Sequence, residues 1–186
     1  MNNQNKTIRF LTRTAMGVAM VIVAQLLGKL FPAGAVIAGP FSVNQLITGS
    51  LVNCVLFVFT AVGGPLCGVC VGILSALLAS VIGIGPAVLA VVPLVACGNA
   101  ILCLAFALVN GLVKGSKIPG VAAAAAVKCA FLWLTVPMLL RAIGAPEKQQ
   151  MMLGIMFSWP QLCTALIGGA LALLILPRLK SFKETN

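Results

Sequence analysis

The chain is a succession of long apolar runs, separated from one another only by glycine, proline and charge. A helix needs about 20 consecutive apolar residues to cross the hydrocarbon of a bilayer. Six runs fit, near residues 14–31, 45–62, 66–82, 87–110, 120–143 and 151–176. Gly63-Gly64-Pro65 turns the second into the third, Gly83-Ile84-Gly85-Pro86 the third into the fourth, and Pro177 stops the sixth. Strands of a membrane barrel would alternate apolar and polar residues over about ten positions, whereas these runs are continuous. The reading is a single membrane domain spanning residues 1–186, an all-α integral membrane protein with six transmembrane helices in one bundle. With 61% hydrophobic residues, 8% charged and a mean hydropathy of +1.17, too little polar surface exists to cover a water-facing exterior. A disordered chain is excluded by the same numbers, since low hydrophobicity is its signature.

Charge then sets the expected orientation. Six spans put both termini on one side, which collects Lys6, Arg9, Arg13, Lys114, Lys117, Arg178, Lys180 and Lys183. The other side has only Lys29, Arg141 and Lys148. Basic excess marks the cytoplasm, so the chain is expected N-in and C-in. The formal charge of +10 is explained by this arrangement and does not point to nucleic acid. The basic start and Ala33-Gly34-Ala35 imitate a cleaved signal, but the first run is long enough to span and five more follow, so it is read as retained.

Little chemistry can be assembled inside these spans. The chain has two acids, Glu147 and Glu184, and no histidine, and both acids fall outside the apolar runs. No carboxylate pair, histidine triad or metal site is therefore expected, and neither catalysis nor a cofactor. Cys54, Cys67, Cys70, Cys97, Cys103, Cys129 and Cys163 all lie in apolar stretches and read as small helix residues, despite the CxxC spacing at Cys67.

The exception is Lys128. It falls inside the fifth run, roughly 20 Å from the outer end and 14 Å from the inner end as a helix. An ammonium there costs about 2.5–3.5 kcal/mol on the insertion scale, with no acid in the membrane to neutralise it. Three accounts are open: its stem reaches the cytoplasmic interface, it donates to helix-end carbonyls or amide side chains as structural glue, or it faces an aqueous cavity and an anionic or carbonyl-rich ligand. Asn53, Asn99 and Gln161, on the second, fourth and sixth runs, lie at similar depth. Each alone reads as interhelical glue; with Lys128 they read as a polar pocket opening outward. Trp133 and Trp159 are candidate flat walls for that pocket, or interfacial anchors. In Trp159-Pro160-Gln161 the proline frees a carbonyl in the preceding turn, and Pro93 and Pro137 make similar breaks. The uncharged loop Pro32–Asn44 is a candidate lid. Ala15 and Ala19 form a small-xxx-small stripe, suited to packing inside the bundle or to docking another membrane protein; Gly64, Gly68 and Gly72 form a second, suited to internal packing.

Six helices in so short a chain, the Ala15-xxx-Ala19 stripe, the GGPLCG turn and GIGP…VPLVACGN resemble the substrate-binding S components of energy-coupling-factor (ECF) vitamin transporters. The resemblance implies high-affinity capture of a vitamin or related micronutrient from outside, with delivery inward. It implies a transmembrane coupling protein, contacted through Ala15 and Ala19, and two cytoplasmic ATPase subunits as partners, in a bacterial plasma membrane. It also implies a pocket formed by the fourth to sixth helices, where Asn99, Lys128 and Gln161 fall, together with the outer loops. Asn53 lies outside that set. Independently, the chain has no phosphate-binding Gly-rich motif and no acid or histidine in the membrane to relay protons. A separate energy source is expected. A small channel or uniporter, a ligand-free structural subunit and a membrane enzyme are the competing readings.

Overall fold

The computed structural model describes residues 3–30, 36–38, 41–83, 85–86, 88–113 and 115–184. Helix α1 (Asn3–Gly28) leads through a small antiparallel hairpin, β1 (Val36–Ala38) and β2 (Phe41–Ser42), into α2 (Val43–Gly63). Then come α3 (Pro65–Val81), a 3-10 turn (Leu89–Val91), α4 (Val92–Leu112), α5 (Ile118–Ala142), α6 (Glu147–Met156) and α7 (Trp159–Glu184). Five segments are long and apolar enough to cross a membrane, α6 and α7 counting as one of them, while α3 is apolar but shorter at 17 residues. Large apolar side chains cover the outside: Leu30, Val81, Leu112 and Leu174 are all exposed. Such a surface is soluble only in lipid, and it gives the chain the character of a multi-pass helical membrane protein.

Local sequence explains the joints. Gly64 adopts φ +89°, a conformation open to glycine, and Pro65 fills the first turn of α3, where its missing N–H costs nothing. Arg13 donates from Nη1 to the carbonyl of Val62 at 2.9 Å, placing a cation at the C-terminal end of α2. Ser42 caps α2 by accepting from the Gln45 N–H at 3.2 Å.

Three expectations are corrected. The fourth run does not start as a helix at residue 87: Leu89–Val91 is a separate 3-10 turn, and Pro93 sits in the first turn of α4, beginning that helix rather than breaking it. The sixth run, expected to be continuous over 151–176, divides at Phe157–Ser158 into α6 and α7, with Pro160 in the first turn of the second piece. Pro137 does lie within a helix, α5. Pro177 does not stop the last run: it lies inside α7, which continues to Glu184. Of the loop Pro32–Asn44, residues 32–35, 39 and 40 lie outside the described residues, and the expected lid with them.

Helix α2 is central, in contact with α1, α3, α4 and α7. A Cβ at Gly168 of α7 would stand 2.5 Å from the Ser50 carbonyl and 2.8 Å from the Cys54 nitrogen, so only glycine permits this closeness of backbones. Around α2, on the side of the chain termini, Leu56, Phe57, Val71, Leu102, Phe106, Ala124 and Ala125 form a closed core. A second cluster, built on Val91, Leu132, Val136, Leu140, Leu153 and Phe157, lies toward the loops.

Candidate functional site

Between these two clusters the bundle is hollow. The buried face of α5 repeats at Val121, Ala124, Ala125, Lys128, Leu132 and Val136, a helical spacing that carries Lys128 into the interior with its apolar neighbours. Lys128 is 3% exposed. Its Nζ donates to Asn53 Oδ1 on α2 at 2.7 Å and to Asn99 Oδ1 on α4 at 2.8 Å. Two charge-assisted bonds of this kind offset much of the cost of burial, at about 1.5–3 kcal/mol each.

Each asparagine is in turn fixed by its own N–H groups. Asn99 Nδ2 donates to the Gly72 carbonyl of α3 at 3.2 Å. The approach needs a glycine, because a Cβ at Gly72 would stand 2.8 Å from the Asn99 Cβ. Asn53 Nδ2 donates to Thr164 Oγ1 of α7 at 3.4 Å, and that hydroxyl donates to the Gln161 carbonyl at 3.2 Å. Five helices thus converge on one ammonium.

Above it lies a cavity of about 400 Å³, within the size range of small-molecule sites. Asn53, Asn99, Lys128 and Gln161 all line it. Val52, Ala76, Ala79, Val92 and Val95 form apolar walls, Met152, Leu153, Met156 and Phe157 a further side, and Ser42, Asn44, Gly85 and Pro86 border it at the loops opposite the termini. Of the three accounts of Lys128, the reach toward the interface is not what the side chain does. It binds amide side chains and, with the same atoms, lines a cavity.

The carbonyl freed by Pro160 also has an occupant. Met156, four residues earlier, cannot bond to the absent N–H, and its oxygen accepts instead from Gln45 Nε2 at 3.0 Å and Gln161 Nε2 at 3.3 Å. The first of these bonds ties α6 to α2 across the cavity.

Trp133 and Trp159 are not walls of the cavity, contrary to the expectation. Trp133 is 61% exposed; five residues beyond Lys128, it is turned by about 140° around α5. Trp159 is half-exposed at the start of α7. Phe157 is the aromatic residue that lines the space. Ala15 and Ala19 lie on the exposed face of α1, while Thr14, Gly17, Val21 and Ala24 face inward; the stripe is therefore not internal packing. Gly68 and Gly72 do pack internally, against Thr60 and Asn99. Gln25, Gln45 and Thr48 line the cavity as well. Their signal was a polar side chain in or at the edge of an apolar run, the same signal that singled out Asn53. The seven cysteines are free thiols.

No protein-family model, curated protein or solved structure matches the chain.

Proposed function

We propose that this chain is the membrane-embedded binding subunit of an ECF-type importer, holding a vitamin or related micronutrient in the cavity over Lys128. In this reading α3 is a sixth span and both termini are cytoplasmic, since eight basic residues flank that side against three on the other. The cavity then faces outward. Release inward is driven by a coupling protein docked on the exposed Ala15–Ala19 face and by two ATPase subunits.

The observation that carries the reading is the Lys128–Asn53–Asn99 network at the floor of a 400 Å³ hollow. A buried polar network commonly stabilises a bundle, but this one leaves space beside it that apolar side chains would otherwise fill. A channel is disfavoured because the path beyond Lys128 toward the termini is closed by Phe57, Phe106, Leu56 and Leu102, all nearly or fully buried.

The test is mass spectrometry of small molecules that co-purify with the full chain, followed by rebinding to variants. Asn99→Ala and Lys128→Ala are expected to weaken rebinding by more than about tenfold, the scale of losing a buried charged hydrogen bond, with insertion and folding retained. Unchanged affinity in both variants removes the cavity from the mechanism.

A further inference from the structure

We infer that the substrate carries a single carboxylate, which takes the remaining N–H of the Lys128 ammonium. This rests on the reading of the cavity as a substrate site, and goes further by naming the chemistry that fills it.

An ammonium has three donors. Two are held by Asn53 and Asn99, and the third has no acceptor among the described residues. Both partners are neutral amides, so they solvate the charge without cancelling it. Among the described residues nothing cancels it either. No carboxylate lines the cavity; Glu147 is exposed at the first residue of α6, and Glu184 closes α7 on the side of the termini. A buried cation without a counter-charge is costly, and an arriving anion removes that cost.

The donor inventory narrows the anion further. Of the amides that line the cavity, four each commit one of their two N–H groups elsewhere: Asn53 to Thr164, Asn99 to Gly72, Gln45 and Gln161 to the Met156 carbonyl. The amide N–H groups that remain are neutral, so the floor offers one positive charge and one free cationic donor. A carboxylate matches that charge. A phosphate would bring a second negative charge into a site whose lining holds no second cation to meet it. Higher up, Val52, Val92, Val95 and Phe157 make part of the wall apolar, which suits an apolar body, beside the polar Gln25, Gln45 and Thr48. The buried Oε1 atoms of Gln25 and Gln45 have no donor, and both residues line the cavity. They suit an N–H or O–H at the substrate's other end. The assigned class is a monocarboxylate with an apolar middle and a hydrogen-bond donor remote from the acid.

In the test, the full chain is purified in detergent, and the compound it retains is released by denaturation and weighed before and after methyl esterification. The expected compound is an anion without phosphorus that gains one methyl group. Rebinding is then measured with that compound as free acid and as methyl ester. The ester should bind the unaltered protein at least about tenfold more weakly, and Lys128→Gln should bring acid and ester to within about threefold, because the preference comes from one buried charge pair. Lys128→Arg keeps the charge and should keep the preference for the acid; it carries the test together with the unaltered protein if Lys128→Gln does not fold. A retained compound that is neutral, cationic or phosphorylated, or an ester that binds as well as the acid, overturns the carboxylate while leaving substrate capture standing. A protein that retains no compound overturns both.

Discussion

On the side of the termini, Phe57 and Phe106 meet edge to face at 4.9 Å, and Leu56, Leu102, Ala124 and Ala125 close around them. One turn earlier along α2, at Asn53, and two turns earlier along α4, at Asn99, the same helices enclose a hollow of about 400 Å³. The helices do not change; the side chains do. Aromatic and leucine residues fill one half, where Phe57, Phe106, Leu56 and Leu102 are nearly or fully buried. In the other half, valine and alanine keep the walls back, and amides hold a cation at the boundary. A single bundle is thus divided by depth into a packed part that resists deformation and an open part that displays chemistry.

The strongest challenge to this division is Phe57→Ala. Loss of a fully buried aromatic should cost about 3 kcal/mol or more, read by unfolding in detergent micelles, while the molecules that remain folded capture their compound with unchanged affinity. Loss of affinity in step with stability would show that the two halves are not separable. The converse substitution is Val95→Phe, which fills the hollow. Capture should fall by more than about tenfold with stability altered by less than about 1 kcal/mol, since existing space accommodates the added ring. Ala15→Leu combined with Ala19→Leu sits on the exposed face and should change stability of the isolated protein by less than about 0.5 kcal/mol. Capture in detergent should survive while uptake by cells fails; intact uptake would remove the docking role. Trp133→Leu should do least, with rebinding within about twofold, because its ring points away from the cavity and isolated exposed substitutions are usually mild. A larger effect would return Trp133 to the site.

Much of this was legible in the sequence, and all but one of the failures share a cause. Helix positions followed from apolar runs and their punctuation, and Lys128, Asn99, Asn53 and Gln161 followed from the cost of polarity in hydrocarbon. The family likeness left Asn53 outside the pocket, whereas its oxygen is 2.7 Å from the ammonium. Which helices adjoin is a property of packing, and helices apolar on every side carry no stripe that reveals it. The same absence hid the division of the last run, because hydropathy continues unbroken through Phe157–Ser158 and proline is compatible with either a kink or a new beginning. Trp133 is different in kind. Its rotation away from Lys128 was computable from spacing alone, and assigning it a wall gave aromatic character more weight than helical geometry.

Pro160 has a consequence for how such a molecule can change. By ending one helix before starting the next, it assigns anchoring to α7, clamped on α2 through Gly168, and contouring to α6, whose Met152, Leu153 and Met156 shape the hollow. Substitutions along that ten-residue piece alter the mould without loosening the clamp. If the hollow holds cargo as proposed, preference for it and integrity of the scaffold are written in different stretches of the chain, and selection can act on one while the other stays fixed.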